Sequence, residues 1–317
     1  MTAAQIVDEC GRLWDINSEA DTLDLFKIFK GYFLKSTLYH PFLPDQRDEL
    51  INARMINQMM LTKILHLEQS ILGVECSAPN GDRLTRIIDP NVIAALVRTI
   101  FETVGTFNCV FVQPETDDEK LILHRLWMSA SLKRREKFRD GFTSPEHLHM
   151  IAKEQQWFDD QMAEINATQT WKNMPQRERD IIDKKIKDKE YTIKFQNGRV
   201  KSLAGFQEMI KTAGANKVAL GNMYFYLSLN THPSYMSVSH FFNMFNPEDP
   251  RYRYETKHYL KVAFMLIGMF VADYIKVFPE MIDNFNTIDE RDQCVINFWN
   301  TTARPKSYSI SDCLDRL

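Results

Sequence analysis

The sequence predicts an all-α protein, a bundle of about ten or more helices with at most one short β-hairpin near residues 191–201. Three observations carry this. Glycine (11) and proline (12) are scarce among the 317 residues, while Leu, Ile, Met, Lys and Glu are plentiful, so helix formers dominate and turn punctuation is sparse. Helix-start signals recur ahead of apolar-periodic stretches. Only Tyr191 to Lys201 has the pattern of paired strands, with Thr192-Ile193-Lys194-Phe195 and Arg199-Val200-Lys201 flanking Asn197-Gly198.

Taken in order, a helix is expected over about 18–38. Asp45 opens a long helix closed by Gly73, with Leu50, Ile51, Met55, Met59, Leu61, Leu65 and Ile71 on its apolar side. Asp89-Pro90 places an N-cap before a proline at the first helical position and opens a run to about Phe111. Thr116-Asp-Asp-Glu119 has capping-box form ahead of a helix over 118–139, and Ser144-Pro145 starts one over 145–167. Further helices are expected at 176–189, 203–213, 215–231, 234–244, 253–278 and 288–299, the last led by the capping-box pattern Thr287-Ile-Asp-Glu290. The longest apolar run, Val262 to Ala272, is closed by Lys261 and Asp273. A bilayer span takes about twenty residues, so this run reads as a core helix, and no membrane partner is expected.

With 44% apolar and 26% charged residues the composition is globular. Residues 1–141 and 202–300 are expected to form one helical core domain, 142–201 a polar, basic helical excursion, and 301–317 a C-terminal tail. Between Trp171 and Lys201 the excursion holds ten Lys or Arg against five Asp or Glu. It reads either as a solvated charged helix with i,i+4 pairs or as a contact surface. A net charge of −3 exerts no global pull on nucleic acid or anionic lipid. Cys10, Cys76, Cys109, Cys294 and Cys313 are scattered without a CxxC pair, which suits reduced thiols packed as small apolar residues. Met1 to Asp15 lacks the basic stretch and apolar run of a signal peptide, so a cytoplasmic location is expected.

Several chemistries lack their motif: there is no P-loop, no GxGxxG after a strand, no GxSxG and no HExxH. His147 and His149, two apart, point to different sides of a helix, and Glu255-Thr-Lys-His258 gives Glu-x-x-His spacing once where a bundle di-metal site needs it twice. No metal and no cofactor are expected. Two segments remain. Arg98 and Glu102 stand i,i+4 within an otherwise apolar helix, where a charge pair is costly unless partnered; they read as an ion pair at the edge of the core or as a site. Tyr224, Ser228 and His232 recur every four residues as a polar stripe. Pro233 ends that helix at His232, whose imidazole would sit beside unpaired carbonyls at the negative helix end, as a proton donor or as a cap of its own helix.

Together, Arg-x-x-x-Glu in an early apolar helix and Tyr-x-x-Leu-Ser-x-x-x-His-Pro-Ser much later resemble a bacterial family known as domain of unknown function 5677. The resemblance rests on Arg98, Glu102, Tyr224, Leu227, Ser228, His232 and Ser234, over roughly residues 50 to 280 without the excursion. That family looks like a distant relative of the HEPN helical domains, many of which are metal-independent RNases of toxin–antitoxin and antiphage systems. The resemblance implies His232 as acid or base, Glu102 as its partner and Arg98 as phosphate clamp, with Ser228, Tyr224, Asn230 and Ser234 binding RNA or a nucleotide. The HEPN pattern puts an arginine a few residues before the histidine on the same helix. None stands there, so the cation would have to be Arg98 from another helix. The other expectation is a non-enzymatic regulatory or assembly subunit of a bacterial defence or stress system, with a protein partner or a homo-oligomeric state. Its contact surfaces would be the tail and the excursion with surface aromatics Trp157, Trp171, Tyr191 and Phe195.

Overall fold

In the computed structural model, which describes residues 2–40, 47–135, 141, 144–242 and 250–311, several helices begin where side chains satisfy their first amides. The elements are α1 (Ala3–Asp15), α2 (Glu19–Leu38), α3 (Asp48–Leu72), β1 (Val74–Ser77), β2 (Arg83–Ile87), α4 (Pro90–Phe107), a π-turn (Asn108–Val112), α5 (Asp117–Arg135), α6 (Pro145–Ala167), α7 (Gln169–Asn173) and α8 (Gln176–Lys187). There follow β3 (Ile193–Gln196), β4 (Arg199–Ser202), α9 (Phe206–Thr212), α10 (Lys217–Leu220), α11 (Met223–Thr231), α12 (Tyr235–Phe242), α13 (Pro250–Val277), α14 (Met281–Asn286), α15 (Glu290–Ala303) and a 3-10 turn (Lys306–Tyr308). The chain is all-α apart from two antiparallel two-stranded sheets among the described residues.

The Asp89 carboxylate accepts from the Asn91 amide at 2.8 Å, and Ser144 Oγ accepts from His147 at 3.3 Å. Thr116 and Glu119 form the expected reciprocal box at 3.3 and 3.4 Å. At Thr287 the expectation fails: its hydroxyl donates to the Asn284 carbonyl at 2.8 Å, and α15 starts later behind Asp289. Asp45 lies outside the described residues. α3 ends at Gly73, whose φ of +86° and 3.0 Å approach to the Arg86 backbone leave no room for a Cβ. The helix expected over 215–231 is broken at Gly221-Asn222 into α10 and α11. β1 and β2 form a hairpin beyond the one expected. It closes over Ala78–Asp82 with Gly81 at φ +93°, and because almost all of both strands is exposed, no alternating apolar pattern announces it.

Two compact units result, Met1–Gly105 with Ile210–Leu317, and Thr106–Met209. In the first, α13 is the central helix. Its run from Val262 to Val271 is buried, and Phe264 and Phe270 meet Phe26, Phe29 and Phe33 of α2 at ring distances of 5.2, 5.3 and 5.9 Å. On its other side α15 comes so close that a Cβ on Gly268 would lie 2.8 Å from the Asn300 amide. Arg304, just past α15, is fully buried. Nη1 donates to Asp273 Oδ1 at 2.8 Å, Nε to Asn300 Oδ1 at 2.8 Å and Nη2 to the Met269 carbonyl at 2.8 Å. Glu9 of α1, Asp21 and Asp24 of α2, Arg12 and Arg291 form a second, partly buried charge network. Cys10, Cys109 and Cys294 are buried and Cys76 is exposed; Cys313 lies outside the described residues.

The second unit contains α5 to α8 and the β3–β4 hairpin. Asn197 and Gly198, at φ 53° and 70°, make the two-residue turn expected from the sequence, and Ile193 and Val200 bury its inner face. Lys185 of α8 is buried, donating to Glu190 at 2.6 Å, Thr192 Oγ1 at 2.7 Å and the Leu203 carbonyl at 3.0 Å. Of the aromatics expected on the surface, Trp157 is exposed and Trp171 and Phe195 are half-buried. Tyr191 is buried, because its hydroxyl is bonded to Thr106 at 2.8 Å. The helical run Pro90–Val112, 23 residues, is long and apolar enough by composition to cross a membrane, and 56% of its window is buried inside the protein.

Two outcomes follow from the charge networks. Arg304→Ala leaves Asp273 buried without its cation and is expected to lower unfolding free energy by about 3–5 kcal/mol, read from urea midpoints. The Arg12 hydrogen bond, helped by Arg291 and opposed by burial, lowers the Glu9 pKa from 4.5 to about 2. The folded pKa lies below the unfolded one, so the contribution of Glu9 is complete above 4.5 and is lost as pH falls toward 2. Glu9→Gln should flatten the loss of urea stability over that window, and an unchanged slope would contradict the assignment.

Candidate functional site

α4 and α11 bring three of the expected residues together. Arg98 Nε donates to Glu102 Oε1 at 3.0 Å, Arg98 Nη2 donates to the Tyr224 hydroxyl at 3.1 Å, and that hydroxyl donates to the same Glu102 oxygen at 3.1 Å. The guanidinium also lies 5.1 Å from the Tyr224 ring centroid, and Phe101 packs against that ring at 5.6 Å. The Arg98 and Glu102 side chains are 25% and 29% exposed, so the triad sits at the margin of the core. Burial, with the Glu102 carboxylate adding to it, pushes the Tyr224 phenol above its ordinary pKa despite the opposing guanidinium. Burial lowers the ammonium of Lys63, on α3, while Glu102 opposes the shift.

The rest of the expected set lies elsewhere. Ser228 Oγ donates to the Tyr224 carbonyl at 2.7 Å, a bond within its own helix. α11 ends at Thr231, and His232 is extended at φ −107°, ψ 155°, as Pro233 requires. The imidazole is exposed and makes no hydrogen bond among the described residues. No hydrogen bond or ion pair joins the imidazole to Arg98, Glu102 or Tyr224 among the described residues. One of the helix-end carbonyls expected to lie unpaired beside it has acquired a donor, since Ser234 Oγ bonds the Leu229 carbonyl at 3.1 Å. Ser234 also accepts from the Ser237 amide at 3.1 Å, serving as the joint between α11 and α12.

Asn230 belongs to a different constellation. Its Nδ2 donates to the Tyr226 carbonyl at 3.0 Å, which turns Oδ1 toward His240 Nδ1 at 3.1 Å, while His240 Nε2 lies 3.0 Å from Glu255 Oε1. With Oδ1 accepting, Nδ1 is the donor, and Nε2 faces the carboxylate. Both ring nitrogens are occupied, so His240 ties α12 to α11 and α13 and has no nitrogen left for a substrate. No spacing in the sequence marks this trio; Glu255 stands out there only for its distance from His258. Among the described residues no group of three or more His, Cys, Asp or Glu could hold a metal ion.

The same two helices present an apolar surface. No Asp, Glu, Lys or Arg occurs from Val218 to Phe242, in a chain 26% charged. Tyr235 (86%), Phe242 (83%) and Phe225 (65%) are largely exposed, with Leu229, Met236 and Val238 exposed beside them.

The triad and the serine make different demands. Tyr224→Phe removes the hydroxyl that joins Arg98 to Glu102 and is expected to lower unfolding free energy by about 1 kcal/mol. Ser228→Ala removes only a bond within the helix and should change it by less than about 0.5 kcal/mol. Equal losses in urea unfolding would contradict the separation of the two roles.

In comparison with known proteins, no curated protein and no solved structure matches the chain. One family, described as a family of unknown function (DUF5677), matches residues 83–249. The match opens at β2, takes in Arg98, Glu102, Tyr224, Ser228 and His232, and includes the basic segment. It is thus shorter at both ends than the span of 50 to 280 expected from the sequence, and continuous through the middle. A match over more than half of the length settles the relationship: the chain belongs to the family of unknown function DUF5677.

Proposed function

We propose that this protein acts by binding, as a non-enzymatic helical subunit that associates with a second copy of itself through the uncharged aromatic face of α11 and α12. The observation that carries the reading is that face: seven large apolar side chains exposed on two neighbouring short helices, with no charged residue from Val218 to Phe242. Patches of this kind are uncommon on monomers and mark contact surfaces. An aromatic side chain buries about 150–250 Å². Three aromatics with their aliphatic neighbours therefore approach the ~800 Å² per partner of a stable interface. A two-fold contact sets a patch against its own copy, which a face without charge meets with no repulsion. Such an assembly subunit suits the bacterial defence or stress systems that the family resemblance implies.

RNA cleavage without a metal is the other reading, and the geometry lends it less support. Arg98 already donates to Glu102 and Tyr224, and no hydrogen bond joins His232 to them among the described residues. Light scattering after gel filtration tests the binding reading. The mass is expected at a multiple of 37.2 kDa, falling to one chain in the variant Tyr235→Glu with Phe242→Glu, with circular dichroism unchanged. A wild type that stays at 37.2 kDa at high micromolar concentration sinks self-association. Metal-free RNA cleavage, lost in both His232→Ala and Arg98→Ala with folding retained, would put the enzyme in its place.

A further inference from the structure

The β3–β4 hairpin has an outer face whose side chains repel one another. Register pairs Lys194 with Lys201 and Gln196 with Arg199, and strand alternation puts all four on the face opposite Ile193, Phe195 and Val200. Two lysines directly opposite each other destabilise a strand pair. The pairing cannot slip to relieve this, because the Asn197-Gly198 turn fixes the register and Ile193 and Val200 are buried beneath it.

None of the three cations makes an ion pair among the described residues. Lys201 Nζ donates to the neutral Gln196 Oε1 at 2.8 Å. The neighbouring carboxylates accept from other donors. Glu178 accepts from the Val200 amide at 3.0 Å, Glu190 holds buried Lys185 at 2.6 Å, and Asp180 accepts from Gln176 at 2.9 Å. Asp183 and Asp188 of the α8 end are outnumbered by Lys184, Lys187 and Lys189 beside them in sequence.

We propose that this outer face binds the phosphodiester backbone of nucleic acid. A row of cations on long flexible stems needs only a line of regularly spaced anions, and its binding is driven by release of their counterions. An acidic protein fits less well, since protein interfaces centre on an apolar patch and this face has none: its side chains are two lysines, an arginine and a glutamine. With no aromatic or hydrogen-bonding pocket on it, the face reads charge and not base sequence.

The test is fluorescence anisotropy with a labelled 20-nucleotide single-stranded RNA and a 20-base-pair DNA duplex, titrated between 50 and 200 mM NaCl. Wild type is compared with Lys194→Gln/Lys201→Gln and with the triple variant that adds Arg199→Gln. The expected result is a log–log salt slope that becomes shallower by about 0.7–0.9 for each cation removed, with affinity at 50 mM NaCl down about tenfold or more in the triple variant. Melting temperatures should be no lower than wild type, because a repulsion has been removed, so weakened binding cannot be attributed to unfolding. Absence of binding to either nucleic acid at 50 mM NaCl overturns the proposal, as does an unchanged salt slope in the triple variant. Binding of a poly-glutamate peptide while both nucleic acids stay unbound also overturns it, and assigns the face to acidic proteins.

Discussion

The first unit is organised around one buried cation. Arg304 has no exposed side-chain area, and a lone guanidinium in such a place is untenable unless its donors are met. They are met by Asn300 one turn back on α15 and by groups distant in sequence: Asp273 and Met269 on α13 and the Ala213 carbonyl at 3.4 Å. The Tyr308 ring covers the guanidinium at 4.5 Å, and Gly214 leaves room for that ring, since a Cβ there would come within 2.8 Å of it. The Asn216 amide then bonds the Ala303 carbonyl at 2.6 Å. Satisfying one arginine therefore holds the end of α15, the tail as far as Tyr308, and residues 213–216 together. Those residues lead into α10 and α11, so the position of Tyr224, and with it the Arg98–Glu102 triad, rests on an ion pair remote from it.

From this anchoring the surface chemistry of α11 and α12 follows. Many polar side chains of these helices are turned to their own backbone, to each other or to neighbouring helices. Ser228, Asn230 and Thr231 bond carbonyls one turn back, Ser237 bonds the His232 carbonyl at 2.5 Å, and His240 is held by Asn230 and Glu255. Side chains used in this way offer little to water. The large side chains that remain outward include Phe225, Leu229, Tyr235, Met236, Val238, Phe241 and Phe242, so the aromatic face and the internal hydrogen bonding are two sides of the same arrangement. An exposed apolar surface of this extent is costly in water, which is the physical ground for giving it a partner.

Local signals were legible in the sequence, and long-range ones were not. The Asn197-Gly198 turn, the caps at Asp89, Thr116 and Ser144, the end of α11 before Pro233 and the core character of Val262 to Ala272 all depend on a few adjacent residues. Arg98 and Glu102 could be paired because i,i+4 spacing is itself local. Tyr224 could be placed on a stripe, but its attachment to α4 could not be foreseen, and His232 of the same stripe leaves the helix at Pro233 without a hydrogen bond to that attachment among the described residues. Arg304 with Asp273, and His240 with Asn230 and Glu255, escape such reading because nothing in a single chain's pattern says which distant carbonyl or carboxylate a side chain will meet. The β1–β2 hairpin escapes for the opposite reason. Its strands bury almost nothing, and alternation is visible only where one face is packed.

The two surfaces inferred here differ in the force that would fill them, and this separates them experimentally without any substitution. Association on the α11–α12 face is driven by removal of apolar area from water, which strongly hydrated salts such as sulfate reinforce. Occupancy of the β3–β4 face is driven by counterion release, which any added salt opposes in proportion to the number of cations engaged. Raising sulfate should therefore tighten one contact and loosen the other in a single sample. A surface built of both kinds of residue would respond weakly to either change. The segregation of aromatic residues from cations in this chain, with Val218 to Phe242 uncharged and Lys194, Arg199 and Lys201 sharing a face without an acid, gives each surface an undiluted response.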